Sequence, residues 1–391
     1  MWDEIIEKVR PIVEKVKLEG DKALIEFTEK FDGVKIKSVK VEKEEIEKAY
    51  ELVDDEILDA LEVARENIER FHYITMPEND IRIDFGDLIM GKKWVPLDSV
   101  GLYIPGGRAS YPSTVLMAGI PAKLAGVGMI VACTPPNEKG SVNPLTLVAM
   151  DLVGVDEIYR VGGAQAIAAM AYGTESVKKV DKIVGPGNVY VTAAKLLVQK
   201  DVAIDMPAGP SEVLVIADET ADPKIVALEC LAQLEHDPMA KAYLITTSRR
   251  LAENVKKIVE KNIVGENLKI HLVKNVKEAV KISNEIAPEH LVILTENPWE
   301  IFSKIRHAGS VFIGKFSPVA AGDYASGTNH ILPTSGYARM FSGVSVETFM
   351  KSFTYQELKE EGLKRIAPAV IKLAKAEGLP WHAKSVEARL K

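Results

Sequence analysis

At 391 residues the chain exceeds one simple hydrophobic core, and its length predicts about two to three domains. Hydrophobic residues make up 47% and charged residues 27%, a balance that excludes a disordered chain. The formal net charge of −7 leaves no basic footprint for nucleic acid, and no apolar run approaches the ~20 residues that span a bilayer.

The opening segment, MWDEIIEKVRPIVEKVK, is an amphipathic charged helix without a secretory leader's apolar core, so a cytoplasmic protein is expected. Ile5, Ile6, Val9, Ile12, Val13 and Val16 fall at helical spacing, with Pro11 a predicted kink. A second helical run covers 44–71, and short alternating segments over 81–95, around Phe85-Gly86-Asp87, predict a hairpin. Residues 1–98 are thus expected to form a helical region with a hairpin, packing on the second of two α/β halves that follow.

From Ser99 strand and helix alternate. VGLYIP, MIVACT, EIYRV and KIVG read as strands, with helices over 114–124, 145–152, 164–171 and 191–198 between them. A second series begins at SEVLVIAD and continues through AYLITT, LKIHLV, HLVIL and SVFIG, with helices over 223–235, 251–259 and 277–285. The fold class is therefore α/β, with two Rossmann-like, mostly parallel-sheet halves at 99–211 and 212–336. Residues 337–391 are expected as a C-terminal helical extension with an amphipathic helix over 363–377. Ligands of open parallel sheets sit at the carboxyl ends of the strands, so chemistry is expected in the loops that follow strands.

Cys133 and Cys230 lie in the apolar runs IVACTPP and ALECLAQ and read as inert buried thiols. No GxGxxG fingerprint opens a helix. GPGN at 185–188 lacks the third glycine, whereas GGAQA at 162–166 and PGG at 105–107 end strands and open helices. Each alone is an ordinary βα turn. Three in one half favour a ligand cleft without naming the ligand.

The histidine contexts are more specific. In CLAQLEHDP, Gln233 and His236 stand three apart near a helix end, so both project from one face. They suit one cation, although a lone QxxH serves equally as a cap on the helix dipole. In NEIAPEHLVIL, Glu289 and His290 directly precede a strand, where a carboxylate and an imidazole suit proton transfer. The small-residue stretch SPVAAGDYASGTNHILPTSG carries Asp323 and His330, and the tail carries Trp381 and His382. A site of Gln, His, Asp and His favours zinc, manganese or cobalt over magnesium.

The segments GLYIPGGRASYPSTVLM, RVGGAQAIAAMAYGT, KIVGPGNVYVTAAK, DMPAGPSEVLVIAD, QLEHDP, APEHLVIL and AGDYASGTNHILPTSG resemble the histidinol dehydrogenase family. They occur in that family's order over roughly residues 95–336. The resemblance implies a dimeric enzyme that oxidises L-histidinol to L-histidine through the aldehyde, using two NAD molecules in turn. It implies one zinc ion per active site, held by Gln233, His236, Asp323 and His382. Substrate contacts would come from Ser211, Gln233, His236, Glu289, His290, Asp323, Glu377 and His382, with Glu289 and His290 catalytic. It also implies that the tail crosses to the partner subunit, so that Glu377 and His382 serve the neighbour's site. Tyr103, Gln165 and Asn188 match the family's NAD-contacting positions. The likeness assigns no role to His330. Two rival readings, a zinc hydrolase and a two-lobed binding protein, leave respectively the glycine turns and the Glu289-His290 pair without a task.

Overall fold

The chain opens on amphipathic helices: α1 (Trp2–Glu19), α2 (Asp21–Asp32), α3 (Lys43–Tyr50) and α4 (Asp55–Thr75). In this computed structural model, which describes residues 2–106, 110–236, 238–262 and 267–390, α1 runs unbroken through Pro11. The run expected over 44–71 is divided into α3 and α4 by a turn after Tyr50. A hairpin follows, formed by β1 (Asp80–Asp84) and antiparallel β2 (Leu88–Pro96).

The first α/β series contains β3 (Ser99–Tyr103), α5 (Pro112–Ala125), β4 (Met129–Cys133), α6 (Pro144–Val153), β5 (Glu157–Tyr159), α7 (Gly163–Tyr172), β6 (Lys182–Val184), α8 (Val189–Val198) and the short β7 (Ala203–Ile204). The second contains β8 (Glu212–Ala217), α9 (Pro223–Leu234), β9 (Lys241–Thr246), α10 (Arg249–Asn262), β10 (Leu268–Leu272), α11 (Val276–Ile286), β11 (His290–Leu294), α12 (Pro298–Phe302), β12 (Ser310–Ile313) and α13 (Val319–Tyr324). The sheets have the orders β5-β4-β3-β6-β7 and β10-β9-β8-β11-β12, and every pairing within them is parallel. Each sheet reverses direction of growth beside its first strand, between β3 and β6 or between β8 and β11.

The chain divides into two units. Met1–Met76 with Leu97–Phe349 forms one, and Pro77–Pro96 with Met350–Lys391 the other. In the second unit β13 (Met350–Leu358) extends the hairpin to the sheet order β1-β2-β13, and α14 (Glu360–Ala376) and α15 (Pro380–Glu387) pack on each other. A tail that is helical from its start was expected, so β13 is a correction. Residues 351–354 of this strand are all exposed, so no alternating apolar face announces it, and backbone pairing with β2 makes it a strand.

The opening helices lie mainly against the first α/β half. α1 packs on α7 and α8, α3 on α6, and α4 on α5, all helices of the first α/β half, while α4 also reaches the second half through Asn67, which donates to the Ala325 carbonyl at 2.9 Å. The cause is matched apolar surface. Val9, Val13, Val16, Leu24 and Phe27 enter the same buried cluster as the small residues Ala166, Ala169 and Ala193 of α7 and α8.

A buried ion pair orders the turn after β6. Lys195 of α8 and Asp205, with side chains only 5% and 2% exposed, meet at 2.7 Å. Lys195 also donates to the Gly185 carbonyl, while the other oxygen of Asp205 accepts the Gly185 N–H at 2.8 Å. Gly185 has φ 131°, and a Cβ there would collide with the Tyr103 carbonyl oxygen, so only glycine lets β6 leave the sheet this close to β3. Lys195→Met strands the Asp205 carboxylate and is expected to cost about 3–5 kcal/mol of folding stability, measured by urea unfolding.

Candidate functional site

The amino edge of the second sheet brings the expected catalytic pair together with two expected metal ligands. His290 is the first residue of β11, and its Nδ1 lies 3.1 Å from Gln233 Oε1 at the last turn of α9. On the other side of the ring, Nε2 stands 3.5 Å from Asp323 Oδ1 on α13. Glu289 Oε2 is 3.8 Å from Nδ1 and accepts the Glu212 N–H at 2.9 Å. Ser211 immediately precedes Glu212, so it too lies at this edge.

This placement corrects the expectation that chemistry follows strands. In the second half the residues stand before strands, because α9 runs antiparallel to the sheet and delivers its C-terminal Gln233 to the amino edge.

Burial sets the electrostatics. Desolvation, the largest influence on Glu289, raises its pKa, and the nearby Glu212 and Asp323 charges reinforce the shift against the opposing pull of His290 and the Glu212 N–H. For His290 desolvation again leads and opposes the charged form, yet Glu289 and Asp323 together outweigh it and raise the imidazole's pKa. His330 is lowered, first by desolvation, against the Asp323 carboxylate and in the same sense as the imidazoles of His290 and His236. His236, exposed at the end of α9, therefore belongs to the same electrostatic neighbourhood.

Two buried glutamates escaped the sequence reading. Glu212 Oε1 accepts the Ser335 N–H at 2.9 Å, and Glu229 Oε2 accepts the Val319 N–H at 3.1 Å. The available signal was a carboxylate inside each of the apolar runs SEVLVIAD and ALECLAQ. Asn329 adds a tie between the halves, donating to the Met117 carbonyl of α5 at 2.6 Å.

Among the described residues, no group of three His, Cys, Asp or Glu side chains is placed to hold a metal ion. The expected set differs from such a group by including an amide, Gln233, and His382, which stands on α15 of the second unit with Glu377 at the end of α14. The donors nevertheless suit zinc. Amide and carboxylate oxygens and imidazole nitrogens are donor types that zinc accepts, and Nε2 of both His290 and His330 is buried without a hydrogen-bond partner. Asp237 of the QLEHDP motif and Gly107 of the PGG turn lie outside the described residues.

The carboxyl edge of the first sheet forms a separate recess. Tyr103, Gln165 and Asn188 line one cavity of about 850 Å³, together with Gly106 and Gly163. That volume suits a large organic ligand. Gly163 opens α7 and donates its N–H to the Tyr103 hydroxyl at 3.1 Å, while the N-cap residue, Gly162, has no side chain to cap the helix. Burial pushes the Tyr103 phenol up to about 12, which keeps its O–H as a donor. Asn188, on the cavity wall, caps α8 through its amide oxygen. Phe27, Phe31 and Asp32 of α2 complete the wall, a contribution no local motif announced. Cys133 and Cys230 are fully buried, and burial raises both thiols, in keeping with inert residues.

The chain matches the family model for histidinol dehydrogenase over residues 1–390. It is 63% identical over 388 residues to a histidinol dehydrogenase of Archaeoglobus fulgidus, covering 99% of this chain and 96% of the relative. Identity to the histidinol dehydrogenase of Methanothermobacter thermautotrophicus is 53% over 401 residues, covering 100% and 94%. A crystal structure of histidinol dehydrogenase from Elizabethkingia anophelis superposes with a TM-score of 0.94 at 43% identity, covering 100% of this chain and 95% of that one.

His72, on α4, is buried beside Asn329, with 3.4 Å between Nε2 and the amide, and desolvation lowers its pKa to about 4. Between pH 4 and the ordinary value near 6.5 the unfolded chain binds a proton that the folded chain refuses, so stability falls as pH drops through that window. Wild type is expected to lose roughly 2–3 kcal/mol more than His72→Gln between pH 7 and pH 4, compared by urea unfolding at both pH values.

Proposed function

Because the chain belongs to the histidinol dehydrogenase family, we propose that it oxidises L-histidinol to L-histidine through the aldehyde, reducing two NAD molecules in turn. It is an NAD-dependent oxidoreductase of histidine biosynthesis. The observation that carries the detailed reading is the His290 ring, held between Gln233 and Asp323 with Glu289 alongside.

In this reading residues 212–336 hold metal and substrate, residues 99–211 hold NAD through Tyr103, Gln165 and Asn188, residues 1–98 flank them, and residues 337–391 reach across a homodimer. Gln233, His236, Asp323 and His382 would hold zinc, one ion per site, and Ser211 and Glu377 would contact substrate. Zinc held there would supply a positive anchor that orients the substrate so that its alcohol carbon is in place before hydride leaves.

The protein's own groups handle the protons. With Gln233 Oε1 as acceptor, His290 carries its hydrogen on Nδ1 and keeps a lone pair on Nε2, the buried nitrogen without a partner. That nitrogen takes the hydroxyl proton as the carbon loses hydride to the first NAD. The aldehyde must then add water, and Glu289, its pKa raised by burial, is the base that removes the proton from that water. Once it has passed its first proton to solvent, His290 takes the remaining hydroxyl proton as the hydrate anion gives hydride to the second NAD, leaving the carboxylate of histidine.

Among the described residues no helix is long and apolar enough to cross a membrane. The biosynthetic role supports a cytoplasmic location.

Incubation with L-histidinol and NAD is expected to yield two NADH per substrate, followed by absorbance. A hydrolase or a binding protein yields none. His290→Asn is expected to lower kcat on the order of 10²- to 10⁴-fold, and a near-normal rate would remove its role as base. Dimers reassembled from equal amounts of Glu289→Gln and His382→Ala chains are expected to regain about a quarter of wild-type activity, since each mixed dimer keeps one intact shared site. No recovery on mixing would place both residues in the same subunit's site.

A further inference from the structure

The expected metal ligands Gln233 and Asp323 stand on separate elements, and one buried side chain joins those elements. Glu229 lies one helical turn before Gln233 on α9 and is 9% exposed. Its Oε2 accepts the N–H of Val319, the first residue of α13, at 3.1 Å. Asp323 lies one turn beyond Val319. Two i, i+4 pairs are thus bolted together at one end, Glu229 to Val319, while their other ends, Gln233 and Asp323, stand 3.1 Å and 3.5 Å from opposite nitrogens of the His290 ring.

α13 needs this outside support. It has six residues, a length at which a helix has little stability of its own, and the residue before it, Pro318, offers no side-chain cap. Glu229 supplies from α9 the acceptor that a local cap would otherwise provide. Gly322 lets the helix close on the site, since a Cβ there would come 2.6 Å from the Phe312 ring, which itself lies 5.9 Å from the His290 ring.

We propose that Glu229 is a positioning residue that sets the separation of Gln233 and Asp323 and thereby the affinity for zinc. This rests on the assignment of those two residues as metal ligands.

The test is zinc affinity of the full-length protein, measured by competition with a chelating dye and needing no turnover. Glu229→Leu and Val319→Pro remove the acceptor and the donor in turn. Proline is tolerated at a first helical position, so the second variant remains informative should the first fail to fold. Both are expected to weaken zinc binding on the order of 10- to 100-fold with KM for NAD unchanged. Glu229→Gln, whose amide oxygen still accepts, is expected to stay within about threefold of wild type. If Asp323→Ala loses zinc while Glu229→Leu and Val319→Pro keep it, the positioning role is overturned and the ligand assignment stands. If Asp323→Ala keeps zinc as well, the ligand assignment falls, and the positioning role falls with it.

Discussion

The register of β11 between β8 and β12 is the constraint on which the second half depends. His290 sits opposite Val213 on one side and Ser310 on the other, and Val292 and Leu294 share its face, packed in one cluster with Val213, Val215 and Cys230. Side chains alternate across a sheet, so a slip of one residue would send the imidazole to the opposite face, among Leu291 and Ile293. The same register places Glu289 level with Glu212, whose N–H holds its carboxylate. The placement of Glu289 and His290 thus follows from apolar packing deeper in the strand.

Two kinds of sheet edge share the work. In the proposed reaction the first half would use its carboxyl edge, where α7 begins at a glycine N-cap beside Tyr103. The second half uses its amino edge, where side chains rather than free backbone groups collect. Oriented backbone amides suit a phosphate-bearing cofactor. Buried imidazole and carboxylate groups suit proton traffic and a divalent ion.

Much of this could be read from the residues in order. The alternation from Ser99 onward locates the strands and helices of both sheets, because each element carries its own apolar run. Gln233 with His236, and Glu289 with His290, stand out as polar pairs in such runs. What was hidden is non-local. β13 is built from exposed residues and exists through its pairing with β2. Glu212 and Glu229 look like stray carboxylates until the chain segments they receive, at Ser335 and Val319, are folded against them. The carboxyl-edge rule locates the recess around Gln165 but points away from His290, since it describes ligands held by loops and not by strand starts.

The recess between α7, α8 and α2 has a bearing on modularity. Phe27, Phe31 and Asp32 wall it from outside the α/β half that supplies Tyr103, Gln165 and Asn188. That half is therefore no self-contained ligand module. Excised at Ser99 and grafted elsewhere, it would keep its sheet and lose one side of its cleft, so recombination within this family must move the N-terminal helices and the first sheet as one piece.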